Sequence, residues 1–362
     1  MIHYIAGRIV LAGVLLISVI SACFGLVSLI PGDPAQAVLG EFASPEQVAD
    51  LRGKLGLDQP LLVRWWDYVS QVMQGNLGNS YFSGQSISHD LLVRLPTSLL
   101  IVIPGLTLAI LFGVLMGTVS AYYRDRLPDR VLSLVTSATL ALPEFALALI
   151  LIYIFFQMLG LAPAPFGMVS PLDPLPPSQT GSDVIDAISS GSWAVLGSMM
   201  SHAALPILCL GIFFSAYFAR VVRTGLSAAL RSPQVEFARA CGLSEFRVYR
   251  YAMSDIRRTL LTYLVILTGS ALSGAVIIET VFSWPGIGTW ALQGILKTDI
   301  PVIQGFVLVI AATLLMAYVA MDVVITFMDP RVRMQVARTG SKRVAKPTPL
   351  EIELSSSLGG PV

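Results

Sequence analysis

Apolar residues run along this chain in long unbroken blocks, and polar residues gather in short clusters between them. Residues 9–32, 95–123, 145–172, 187–219, 259–278 and 300–321 contain no Asp, Glu, Lys or Arg. A helix of about 18–20 apolar residues crosses the hydrocarbon core of a bilayer. The pattern therefore predicts six membrane helices, near Ile9–Ile30, Ser98–Tyr122, Val131–Gly160, Leu196–Val221, Thr259–Phe282 and Val302–Phe327. The third accommodates a single acid, Glu144, directly after Pro143. The fold class expected is all-α integral membrane, with a lipid bilayer as its solvent.

Composition agrees with the pattern. The 362 residues are 55% hydrophobic and 12% charged, against roughly 25% charged in soluble domains. A soluble enzyme, a nucleic-acid binder and a disordered chain are excluded. Charge placement then orients the spans. Arg8, Arg124, Arg126, Arg130, the arginines from Arg220 to Arg258, and the basic residues from Arg331 to Lys346 fall on one face, 18 of the 23 Lys and Arg. Arg52, Lys54, Arg64, Arg94 and Lys297 remain opposite, so the positive-inside rule puts both termini in the cytosol. Ile20-Ser21-Ala22-Cys23 looks like a lipoprotein cleavage box. The apolar run continues to Ile30 and five more spans follow, so the expectation is an uncleaved anchor. Cys23, Cys209 and Cys241 form no Cys-x-x-Cys, and neither a disulfide framework nor a metal site is expected.

Three polar stretches interrupt the spans. After the N-terminal end and first helix (1–30), residues 31–97 alternate polar and apolar positions around Trp65, Trp66 and Tyr68, and read as a small helical domain at the outer membrane surface. Residues 98–333 form a five-helix core. Within it, the outer insertion 162–193 opens with Pro163, Pro165, Pro171, Pro174, Pro176 and Pro177, which exclude regular helix there. The Ser-, Gly- and basic-rich segment 334–362 reads as a disordered cytosolic tail.

The cytosolic loop 224–258 is too long for a turn and too short for a domain. Ser232-Pro233 makes a good helix start, because Ser caps free amides and Pro suits the first helical position. Gly242 supplies a left-handed stop, and Ser244-Glu245 begins a second short helix. Phe237, Leu243, Phe246, Val248 and Tyr249 then lie among arginines. Such a surface suits a partner's groove; a basic amphipathic helix lying on anionic lipid is the alternative.

Glu236-Phe237-Ala238-Arg239-Ala240-Cys241-Gly242 resembles the E-A-A-x-x-x-G coupling loop of ABC importer permeases, with Phe237 in place of the usual second alanine and Leu243 following. Pro31-Gly32-Asp33-Pro34-Ala35, Leu55-Gly56-Leu57-Asp58-Gln59-Pro60 and Gly75-Asn76-Leu77-Gly78-Asn79-Ser80 resemble the same family. So do Glu279-Thr280-Val281-Phe282-Ser283-Trp284-Pro285-Gly286-Ile287-Gly288 and Asp329-Pro330-Arg331. In this order, from about residue 1 to 333, the chain resembles the first permease subunit of dipeptide/oligopeptide (peptide/nickel) importers. It departs from the family with Arg257-Arg258-Thr259 where Leu-Leu-Pro is common, and with a long 162–193 insertion. The resemblance implies a bacterial inner-membrane type I importer. Two permeases form the path, two cytosolic ATPases hold ATP and Mg, and an external binding protein delivers a dipeptide, oligopeptide, glutathione or nickel complex. The chain has no G-x-x-x-x-G-K-[ST], so nucleotide phosphates would be cradled by a partner.

Three acids are candidates for the translocation path: Glu144 at mid-membrane depth, and Glu279 and Asp322 nearer span ends. Ionisable groups in a membrane usually face a cavity or a partner. For Glu144 a structural role is the alternative; for Glu279 and Asp322 it is capping or interfacial solvation. A proton-coupled carrier using these acids as a relay is the rival function. A membrane enzyme lacks its residues, since His3, His89 and His202 are scattered and neither His-Glu-x-x-His nor Gly-x-Ser-x-Gly occurs.

The orientation is testable. Single cysteines at Ser86 and Ser182 should react with an impermeant thiol reagent from outside, and those at Asp125, Ser244 and Gly340 should not. Outside labelling at Ser244 would invert the topology.

Overall fold

The structure, a computed structural model, describes residues 2–29, 33–40, 43–170, 173, 176 and 178–328. Pro31-Gly32, Pro171, Pro174, Pro177, Asp329-Pro330-Arg331, Gly340 and the 334–362 segment lie outside the described residues. The described residues are helical, without a β-strand. The long helix α1 (Ile2–Ser28) is followed by three short ones, α2 (Pro34–Leu39), α3 (Pro45–Lys54) and α4 (Leu61–Met73). Local chemistry starts them: the Asp33 carboxylate accepts from Ala35 N, and Ser44 and Gln47 form a reciprocal capping box ahead of Pro45. Then come α5 (Ile87–Tyr122), α6 (Leu127–Ala141) and α7 (Glu144–Leu151), the last continuing as a π-helical stretch over Ile152–Met158. After α8 (Asp183–Ser189) the chain forms α9 (Trp193–Ala229), α10 (Pro233–Ala240), α11 (Glu245–Val281), α12 (Ile287–Leu296) and α13 (Ile300–Met328).

Helices α1, α5, α9, α11 and α13 are each long and apolar enough to cross a membrane. The expected straight span Val131–Gly160 is instead the pair α6 and α7, bent by 106°, and it makes the sixth crossing only as a broken one. The cause is local. Pro143 has no N–H to continue the ladder, and it forces the preceding Leu142 into extended backbone (φ −82°, ψ 133°). The boundary expected at residue 97 falls inside α5, which begins at Ile87 and carries Pro96 and Pro104 within it. Likewise α9 and α11 outrun their apolar cores, each reaching 37 residues. At 1.5 Å per residue that is about 55 Å, well beyond a hydrocarbon core of about 30 Å.

The core centres on α5 and α9, which approach too closely for side chains. A Cβ on Gly113 would lie 2.6 Å from Phe218 Cβ, and one on Gly117 would lie 2.7 Å from the Ala219 carbonyl oxygen. Small residues at such a crossing let helix backbones meet where lipid supplies no hydrophobic drive. Gly269 does the same for α11 against Leu314 of α13. The 162–193 insertion folds back on this core, and Asp186 organises it. Its buried carboxylate accepts from Thr180 Oγ1 (2.8 Å) and from the amides of Gln179, Thr180 and Gly181. Burial alone would raise that carboxyl's pKa, but these donors outweigh it and hold the group below the ordinary carboxylate range.

At the end of the bundle that carries α10, Asp129 of α6 is 2% exposed. Arg223 of α9 grips it through two bonds, Nε to Oδ1 at 2.6 Å and Nη2 to Oδ2 at 2.8 Å. The Asp125 amide donates at 2.8 Å, and Ser120 of α5 and Ser133 of α6 add hydroxyl donors. This knot ties α5, α6 and α9 together. Arg223→Met strands a buried carboxylate and should cost about 3–5 kcal/mol. Asp129→Asn keeps a hydrogen-bonding group opposite a half-exposed guanidinium and should cost about 1–2 kcal/mol. Thermal unfolding of the purified variants checks that order.

Candidate functional site

The α9–α10–α11 elbow is built on apolar anchors. Val235 of α10 is fully buried and joins Leu226, Ala229 and Leu230 of the preceding segment, Val248, Ala252 and Ile256 of α11, and Ala121 of α5 in one cluster. Ser232 stands at the N-cap position with Pro233 in the first turn, but its hydroxyl makes no capping bond to the helix amides, so the capping expected of it is not realised. At the far end Gly242 adopts φ +79°. Its amide donates to Arg239 O (2.9 Å) and the Leu243 amide to Ala238 O (3.2 Å), a glycine-terminated helix stop. Nothing lies within 4 Å of a Cβ built on Gly242, so a side chain there would meet backbone strain rather than a clash.

Beyond the glycine the expected second short helix does not end. It is the opening of α11, which runs from Glu245 to Val281 without a break, through Arg257-Arg258-Thr259. No proline interrupts that stretch, so the hydrogen-bond ladder continues straight into the membrane. Arg239 spans the turn. Its Nε and Nη2 meet Glu245 Oε1 and Oε2 at 3.1 and 3.3 Å, and Nη1 donates to Leu230 O at 3.5 Å. Exposed pairs of this kind add little stability, but a forked pair across a glycine turn sets the angle between α10 and α11. The outer surface of the elbow is bare. Phe237 is 71% and Phe246 69% exposed, with Glu236 and Leu243 also exposed and Ala238 half-buried.

The three membrane acids have different surroundings. Glu144 is the first residue of α7, at the 106° bend. Its side chain is buried against Gly274 of α11, where a Cβ would lie 2.7 Å from Oε2, and Oε1 has no hydrogen-bond partner. Glu279 is fully buried. Its Oε1 accepts from Ser98 Oγ of α5 at 2.5 Å and its Oε2 from the Thr289 amide of α12 at 2.9 Å. Ser98 Oγ in turn accepts from Ile287 N at 2.8 Å, and Trp284 Nε1 donates to Thr97 O at 2.9 Å. Gly286 and Gly288 leave the room that this carboxylate occupies. Asp322 of α13 meets Arg8 of α1, Oδ2 to Nε at 3.0 Å, and so stitches the first and last spans.

Sequence reading missed two further polar ties. One is the Asp129–Arg223 knot, whose partners stand 94 residues apart. The other is buried Asp299, which accepts from Ser80 Oγ (2.6 Å) and Tyr81 N (3.2 Å) and fastens the 31–97 segment to the start of α13. The Pro128-Asp129 helix start was the only local signal for the first, and nothing local marks the second.

The fold and site define a helical protein with several membrane-crossing segments and an elbow of bare apolar side chains at one end. Residues 109–334 match the family described as "Binding-protein-dependent transport system inner membrane component". Residues 1–102 match that described as "Binding-prot-dependent transport system membrane comp, N-term". The chain belongs to this family of multi-pass inner-membrane transport subunits. It is similar to the dipeptide transport system permease protein DppB of Alkalihalophilus pseudofirmus, 34% identical over 334 residues, 92% of this chain and 100% of that one. It is also similar to the di/tripeptide transport system permease protein DppB of Pseudomonas aeruginosa, 34% identical with 92% and 100% covered. The glutathione transport system permease protein GsiC of Salmonella typhimurium is 30% identical, with 92% and 99% covered.

Proposed function

We propose that this chain is one of two permease subunits of an ATP-driven importer that moves di- or oligopeptides, or a related small solute, across a bacterial inner membrane. An external binding protein delivers the solute. Two cytosolic ATPases bind ATP and Mg, hydrolyse the nucleotide, and seat on the elbow. Both termini face the cytosol, in keeping with the basic residues clustered at the α10 end. The observation that carries this reading is the elbow itself: Phe237 and Phe246 are bare, while Val235 and Val248 beside them are fully buried. A helix held rigidly with its apolar residues in solvent is shaped for a partner's groove. The names of the similar proteins support peptides as the solute.

Among the three acids, Glu144 is the one proposed for the path. Glu279 and Asp322 are engaged with Ser98, Thr289 and Arg8, in scaffold roles that leave a proton relay without continuity. Glu144 has a carboxylate oxygen with no partner, at a bend in the broken span, and is available to a cationic solute when that bend moves.

Gly242→Val should leave membrane insertion intact and lower stability by only about 1–3 kcal/mol of local backbone strain, because α10 and α11 are anchored elsewhere. It should abolish solute-stimulated ATP hydrolysis by the reconstituted complex; stimulation at the normal level would mean that the elbow is not the coupling element. Glu144→Gln removes charge at nearly constant volume. Basal hydrolysis should persist, while uptake of an amine-bearing dipeptide falls relative to its N-acetylated form. An unchanged ratio takes Glu144 off the path.

A further inference from the structure

Helix α4 has three distinct faces. Trp65, Tyr68, Val69 and Val72 form one, which lies on α1: Trp65 Nε1 donates to Ser21 Oγ at 3.0 Å, and the Tyr68 ring stacks on Phe24 with centroids 5.8 Å apart. Arg64, Asp67 and Gln71 form the second, and line a polar cavity of about 330 Å³ shared with Asn76 and Tyr81. The third is a strip of Leu62, Trp66 and Met73, which are 78%, 64% and 70% exposed. At 100° per residue these three fall within about 40° of the helix circumference, opposite the polar face. A helix this amphipathic should bury its apolar strip, yet none of the described protein covers it.

The attachment to α1 says what does. The apolar stretch of α1 spans Val10–Ser28, 19 residues, or about 28 Å, close to the thickness of a hydrocarbon core. Ser21 and Phe24 sit seven and four residues inside its end, so α4 is fastened about 6–10 Å below that boundary. That is the depth at which interfacial amphipathic helices rest, between headgroups and acyl chains. Leu26, two residues beyond Phe24 on α1, is also 69% exposed, as expected of a span that faces lipid at this depth. Trp66 fits the place, since tryptophan concentrates at membrane interfaces.

We infer that α4 is an interfacial helix embedded in the adjoining leaflet, with Leu62, Trp66 and Met73 among the acyl chains and Arg64, Asp67 and Gln71 turned to the polar cavity. The bilayer is then a binding partner of the 31–97 segment. It holds that segment flat beside α1, in addition to the Asp299 tie to α13.

Nitroxide labels test this on the full chain in lipid nanodiscs, in a Cys241→Ser background because Cys241 is the exposed native cysteine. Leu62→Cys, Trp66→Cys and Met73→Cys carry labels on the strip, and Asp67→Cys and Gln71→Cys carry controls. Relaxation by oxygen, which concentrates in acyl chains, is compared with relaxation by a water-soluble nickel chelate. The ratio should shift toward oxygen at 62, 66 and 73 and toward nickel at 67 and 71. Nickel access at the strip equal to that at the controls would place it in water and overturn the proposal. Labels on the strip shielded from both reagents would mean a protein covers it, which overturns it as well.

Discussion

Where α5 crosses α9, Gly105, Gly113 and Gly117 bring the two backbones together so closely that each Cβ would sit within 2.8 Å of an atom of α9. In a bilayer, apolar side chains gain little by leaving lipid for one another, so dense packing and hydrogen bonds decide which helices associate. The seam is therefore more than one contact among many. Once α5 and α9 are locked in register, Ser120 and Arg223 converge on Asp129 at one end. Further along α5, Ser98 reaches Glu279 of α11. Each tie is a polar group that would be expensive alone in a low-dielectric interior and becomes favourable only when its partner is held in place.

The bend between α6 and α7 follows from the same accounting. A proline inside a membrane helix frees a carbonyl, and the cost is tolerable where neighbouring helices or side chains can satisfy it. Here the freed carbonyl is that of Thr139, which accepts from the Leu142 amide at 3.3 Å, and α7 leans on α9 and α11. Anchored by Asp129 at one end and broken at Pro143 at the other, α6 is held firmly at a single terminus.

Much of this was legible in the chain. Charge-free runs located the five long spans and the α7 half of the broken one, because a membrane penalises charge wherever it falls. Gly242 and Ser232-Pro233 foretold both ends of α10, because those residues have narrow backbone preferences. The losses have physical causes too. Hydropathy marks where a helix is wet, not where it stops, so the polar starts of α5 and α11 were read as helices separate from their spans, and the polar end of α9 as part of the cytosolic loop. The arginines Arg220 to Arg258 were read as one orienting charge, yet Arg223 is a specific partner of Asp129 and Arg239 of Glu245. Pairings between separate helices leave no periodic trace. Pro143 marked a weak point, but a proline in the sequence does not by itself tell a mild kink from the 106° break that Leu142's extended backbone makes.

The continuity of α11 bears on how a force applied at the elbow would travel. A separate second helix in the loop would have introduced a hinge between the elbow's bare surface and the membrane. Instead Glu245, gripped by Arg239, and Glu279, gripped by Ser98 and Thr289, lie on one helix, with Gly274 against Glu144 between them. Thirty-four residues separate the two glutamates, about 51 Å of helix at 1.5 Å per residue. A helix resists compression and bending far more than a loop does, so a partner that tilts α10 would tilt α11 as a rod. Along that rod Ile256 packs on Gly225 of α9, Tyr263 on Phe218 and Gly269 on Leu314 of α13, and beyond them Gly274 meets Glu144 at the crossing that is broken.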